Sequence, residues 1–121
     1  MTIVAYIPDL MDRSKVQAAA GGAVSFVPSP ADLAEAAGDP ATQLVVVDLS
    51  RPGVLAALPA IAATGVRSVG FGSHVDRALL AEASGAGCSE VMARSSFFGR
   101  LAEVLGGLRR DGAGPSQEVG E

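Results

Sequence analysis

Gln43-Leu44-Val45-Val46-Val47-Asp48-Leu49-Ser50-Arg51-Pro52-Gly53 is the stretch that decides the fold. Leu44 to Val47 is an unbroken aliphatic, mostly β-branched run, the pattern of a strand covered on both faces and so of a parallel sheet between helical layers. Asp48 ends the run, and Pro52-Gly53 turns the chain. In open parallel sheets, ligands gather in the crevice beyond the carboxyl ends of the strands, so Asp48 is a site candidate by position alone.

Outward from this strand the same alternation repeats. Towards the N-terminus, Ile3 to Ile7 reads as strand one, stopped by Pro8-Asp9, and Leu10 to Ala20 as an amphipathic helix closed by Gly21-Gly22. Ala23 to Val27 is strand two. Ser29-Pro30 then supplies a capping hydroxyl and a proline at the first helical position, predicting a short helix over Ala31 to Ala37. Beyond the centre, Pro52 opens a third helix in which Pro59 removes a backbone donor, predicting a kink or a restart there. Arg67 to Phe71 is strand four, Ser73 can cap a helix from Val75 to Ala83, and Gly85-Ala86-Gly87 leads into strand five, Cys88 to Met92. Arg94-Ser95-Ser96 opens a last amphipathic helix with Phe97, Leu101, Val104, Leu105 and Leu108 on one face.

Five strands alternating with five helices predict a doubly wound α/β domain, a three-layer (βα)5 sandwich with sheet order 2-1-3-4-5. The switch point then falls between strands one and three, beside Asp9 and Asp48. Residues 1–109 form this domain. Residues 110–121 are rich in Gly, Pro, Ser, Gln and acid and are expected to be a disordered tail.

Composition narrows the function classes. With 121 residues the chain is one domain, and with 4% aromatic residues its core must be built from Val, Leu, Ile and Ala. A net charge of −4 and no basic cluster argue against a nucleic-acid partner. Cys88 is the only cysteine, which excludes an internal disulfide and a paired-cysteine metal site. No basic-flanked leader is present, and no run approaches the roughly 20 apolar residues of a membrane span. A cytoplasmic protein with no membrane contact is expected.

The chain resembles the receiver domain of bacterial response regulators (CheY-like, flavodoxin-like), over nearly all of residues 1–109. Asp48-Leu49-Ser50-Arg51-Pro52-Gly53 is similar to the family's phosphoacceptor aspartate with its following proline and glycine, Arg13 falls where receivers often carry arginine, and Gly85 to Arg94 resembles the passage leading to the family's lysine. The departures bear on function. The two metal-binding acids of strand one fall on Ile7 and Pro8, the lysine on Arg94, its proline on Ser95, the strand-four hydroxyl on Gly72 with Ser73 next, and the aromatic switch position on Val91.

The chemistry gives those departures their weight. Phosphoryl transfer to a carboxylate needs Mg²⁺ to gather the anionic oxygens, a fixed cation and a hydroxyl for the product. Asp9 and Asp48 alone furnish Mg²⁺ poorly. Arg94, forked and permanently charged, is expected to clamp Asp48 directly. The resemblance therefore implies a degenerate, or pseudo-, receiver: a stand-alone signalling module acting by protein contact, not an enzyme, with no cofactor unless the receiver pocket holds Mg²⁺. Two alternatives stand beside it, a true phosphoacceptor using Asp48 and a flavodoxin-like binder of a small anion between Asp9, Ser73 and Arg94.

Other residues have plainer readings. Asp9 can cap the first helix, and the lone His74 lies in a loop with no second ligand nearby. Of Phe97 and Phe98 one ring is expected in the core. The outward ring, Phe98, turned about 100° away, would join Val75, Leu79 and Leu80 in an apolar surface for a protein partner, including a homodimer through the fourth and fifth helices.

Overall fold

The computed structural model describes residues 2–106; the expected tail and Leu108 lie outside them. Five strands, β1 (Thr2–Tyr6), β2 (Val24–Phe26), β3 (Thr42–Asp48), β4 (Arg67–Gly72) and β5 (Glu90–Ala93), alternate with five helices, α1 (Leu10–Ala19), α2 (Pro30–Ala37), α3 (Val54–Ala63), α4 (Arg77–Gly85) and α5 (Arg94–Gly99). All pairings are parallel and the order is β2-β1-β3-β4-β5, as the sequence predicts.

β3 is central because both of its edges are paired. Val45 stands opposite Val4 on β1 and Ser68 on β4. Its apolar run divides between two cores by the period-two geometry of a strand. Leu44 and Val46 join Ile3, Ala5, Phe71 and Phe97 under α1 and α5, while Val45 and Val47 join Leu33, Leu58, Ile61 and Ala83 under α2, α3 and α4. Each of the four is fully buried.

The helix starts follow the capping chemistry. Asp9 accepts from the amides of Met11 and Asp12 at 2.9 and 3.0 Å, and Ser29 accepts from Asp32 N while its hydroxyl donates to the Asp32 carboxylate. The cap of α4 differs from expectation. Asp76, not Ser73, accepts from Leu79 N, so the helix starts at Arg77 and Val75 is a loop residue. A carboxylate at the N-terminus gains from the helix dipole as well as the hydrogen bond, and it lies in register with the turn.

Two helices depart further from the reading of the sequence. α3 runs through Pro59 without restarting, because the proline sits on its solvent side and removes only the bond to the Leu55 carbonyl. It begins after Gly53, whose φ of 85° no side chain shares comfortably. The last helix is not continuous. Gly99 ends α5, Arg100 leaves helical geometry at φ −124° and ψ 29°, and residues 101–106 resume the helix. The predicted face survives the break, since Phe97, Leu101, Val104 and Leu105 are all buried.

Gly87 makes the turn into β5 possible. Its φ is 105°, and a Cβ there would lie 2.6 Å from Ala62 Cβ on α3. Gly87→Ala therefore meets both backbone strain and a collision, and is expected to cost about 1–3 kcal/mol in urea unfolding without changing the far-ultraviolet spectrum.

Candidate functional site

Asp48 is the last residue of β3, beside the end of β1. Its residue is 3% exposed, so the carboxylate must find partners inside the protein. It finds them two and three residues further along. Oδ1 accepts from the amide and hydroxyl of Ser50 at 3.0 and 2.7 Å, and Oδ2 meets Arg51 Nε at 3.3 Å. The strand-end turn thus folds back on its own carboxylate.

Arg94, at the start of α5, does not clamp Asp48. Its Nη2 donates instead to Oδ1 of Asp12, in the first turn of α1. Asp12 is 2% exposed, four residues before the buried Val16 and on the same inward stripe. A carboxylate placed there needs a cation, whereas Asp48 already has Arg51 and Ser50. That hydrogen bond pushes the Arg94 pKa upward against partial burial, and the nearby charges of Asp48 and Asp9 add to it. The guanidinium also lies 4.9 Å from the Phe98 ring centroid and 5.8 Å from that of Phe71.

The predicted pocket of Asp9, Ser73 and Arg94 is only partly assembled. Asp9 and Arg94 feel each other's charge, and Asp9 is held below its ordinary value chiefly by the Asp12 amide, with Met11 N adding to it. Ser73 is exposed and receives the Val75 amide within its own loop. Arg13 closes another position. Its Nε donates to the Ile7 carbonyl at 2.6 Å while the guanidinium lies 5.2 Å from the Phe26 centroid.

The expected apolar surface is divided by the sheet. Phe98 turns inward, edge-on to Phe71 and Phe97 at 5.3 and 4.9 Å, with Lys15 Nζ 5.3 Å from its centroid. It packs against the α1/α5 core, while Leu79 and Leu80 pack against the opposite one. Val75 alone of the four projects freely, 74% exposed.

No protein-family model matches this chain, and no curated protein matches it. Solved structures do. A response regulator from Hahella chejuensis aligns with a TM-score of 0.74 at 17% identity, over 86% of this chain and 91% of that one. The receiver domain of the sensor histidine kinase PA1611 from Pseudomonas aeruginosa, with magnesium coordinated in its active-site cleft, aligns at 0.71 and 15%, over 87% and 93%. A pilus assembly protein CpaE from Caulobacter crescentus aligns at 0.63 and 20%, over 88% and 92%. The chain has the CheY-like receiver fold.

The residues at this chain's strand ends do not fit the magnesium ion that the fold can hold. Ile7 and Pro8 bring no side-chain oxygen, the Ile7 carbonyl is taken by Arg13, and Asp12 and Asp48 are each bound to an arginine. Among the described residues no group of three His, Cys, Asp or Glu side chains converges on one point.

Asp12, Ser50 and Arg51 are site residues that no motif in the sequence singles out. Asp12 carried a signal, since its spacing to Val16 puts it on the apolar stripe of α1.

Two measurements test this geometry. Arg94→Ala strands a buried carboxylate and should lower stability by about 1–3 kcal/mol, less than for a fully buried pair because Arg94 is 46% exposed along its side chain. Adding Asp12→Asn to that variant should restore part of the loss. The lowered Asp9 pKa means its cap contributes fully above the ordinary carboxylate range and is lost as pH falls through the folded-state value. The melting-temperature gap between wild type and Asp9→Ala should therefore close in strong acid.

Proposed function

We propose that this chain is a receiver-like regulatory module that acts through protein contact, and that Asp48 is not switched by magnesium-dependent phosphorylation. One observation carries the reading: both poles of the site are satisfied from within. Asp48 is held by Ser50 and Arg51, and Arg94, which stands where the family's lysine would, is held by Asp12. A phosphoryl group entering here would have to displace an arginine and a serine from the acceptor without a metal to offset its charge. The module is not an enzyme on this reading, and it needs no cofactor.

The surroundings support a contact role. No helix among the described residues is long and apolar enough to cross a membrane. The likeness to a CpaE pilus assembly protein shows the scaffold beyond proteins described as response regulators. Partners are proteins, a second copy of the chain included, in a cytoplasmic setting and without nucleic acid.

The test is an amide NMR titration with Mg²⁺ and beryllofluoride, joined to mass spectrometry after incubation with acetyl phosphate. No saturable shift at Ser50, Arg51 or Arg94 and no added mass are expected. A mass gain that Asp48→Asn abolishes overturns the reading.

A further inference from the structure

Among the described helices only α3, Val54–Ala63, carries no polar side chain at all. A helix apolar on every side is normally buried on every side. Here Val54, Leu58 and Ile61 are buried, while Ala56, Pro59, Ala60 and Ala63 are exposed. Beside that exposed face a groove of about 500 Å³ opens between the β3–α3 turn and the start of α4, with Leu49, Leu55, Ala56 and Leu79 among its lining residues. We propose that this groove and the outer face of α3 dock a cationic amphipathic helix from a protein partner. The inference rests on the contact-based function above and names the class of partner.

Charge selects the sign of that partner. α3 packs between α2 and α4, and this layer is acidic. Asp32, Glu35 and Asp39 lie on α2 and just after it, and Asp76 and Glu82 at the cap and in the body of α4. Against them stand Arg77 and Arg51, and Arg51 is already held by Asp48. In the opposite layer the cations Arg13, Lys15, Arg94 and Arg100 outnumber the acids. Complementary potential therefore brings a basic partner to the α3 side. The same charge disfavours an anionic lipid surface, and it disfavours a second copy presenting this face.

Backbone chemistry selects the partner's conformation. An extended segment needs partners for its own amides and carbonyls, and the side chains of α3 offer none. A helix satisfies its backbone internally and needs only an apolar face to lay in the groove. Pro59 adds to the preference for a cation. Lacking an N–H, it leaves the Leu55 carbonyl without its helical donor, an acceptor beside the groove that suits a lysine or arginine at the edge of the partner's apolar face.

The probe is a synthetic amphipathic helix with one leucine face bordered by lysines, titrated into the ¹⁵N-labelled full chain. Saturable amide shifts are expected at Leu55, Ala56, Ala60 and Leu79, with a dissociation constant that rises with salt. Ala60→Arg, an exposed substitution by a good helix former, should raise that constant at least about tenfold. Met11→Arg, at an apolar position 72% exposed on α1, should leave it unchanged. The same peptide with glutamate in place of lysine should not bind. Absence of any saturable shift, shifts confined to α1 and α5, equal binding of the glutamate peptide, or an Ala60→Arg variant that binds as wild type does each overturn the proposal. Sedimentation of the chain alone and with anionic lipid vesicles separates the other occupants. Vesicle binding or self-association that Ala60→Arg abolishes gives the face to one of them and overturns the proposal. Failure here is separate from failure of the functional reading, which only phosphorylation of Asp48 brings about.

Discussion

Two carboxylates withdrawn from water set the terms for this end of the molecule. Asp12 and Asp48 are each almost wholly buried, and a buried carboxylate must be paired, hydrogen-bonded or protonated. Each takes an arginine that remains partly in solvent, Arg94 for one and Arg51 for the other. The arrangement limits desolvation to the anions, because both guanidinium groups keep part of their hydration. It also spends the site's cations locally. The carboxylate of Asp48 and the guanidinium of Arg94 therefore do not pair with one another, and each has a neighbour of its own.

The Asp12–Arg94 pair joins elements distant in sequence, α1 and α5, across one layer of the sandwich. Beneath it lie the stacked rings of Phe71 and Phe97, 4.6 Å apart, with Phe98 edge-on to both. Arg94 covers Phe98 from one side and Lys15 approaches it too. A chain with so few aromatic residues places three of them together, where their area and the cations above them brace the same contact. That is why Phe98 is not available as an outward docking ring.

Most of the fold was legible because backbone chemistry is local. The run Leu44 to Val47 announced a strand buried on both faces, the Ser29-Pro30 pair announced a helix start, and the alternation announced a doubly wound sheet, whose order is the one common at this size. What was not legible depends on helix phase and on competition between partners. Arg94 has two acids within reach, and the sequence does not rank them; the ranking comes from Ser50 and Arg51 having already satisfied Asp48. Asp76 outcompeted Ser73 as a cap for the same kind of reason. Phe98 is drawn inward by the Phe71 and Phe97 rings, with Arg94 and Lys15 over it, contacts that the periodicity of the last helix does not reveal.

At the opposite end of the sheet, β4 and β5 are fastened by side chains. Ser89 N donates to the Ser68 hydroxyl and Ser68 N to the Ser89 hydroxyl, both at 3.0 Å, with Cys88 buried between them. Burial pushes the Cys88 thiol above its ordinary pKa, so the sulfur is both shielded and reluctant to ionise. As the sole thiol of the chain, it reacts with an alkylating reagent only when this edge of the sheet opens. The protein therefore carries its own clock for that opening, readable as a single chemical rate without any introduced label.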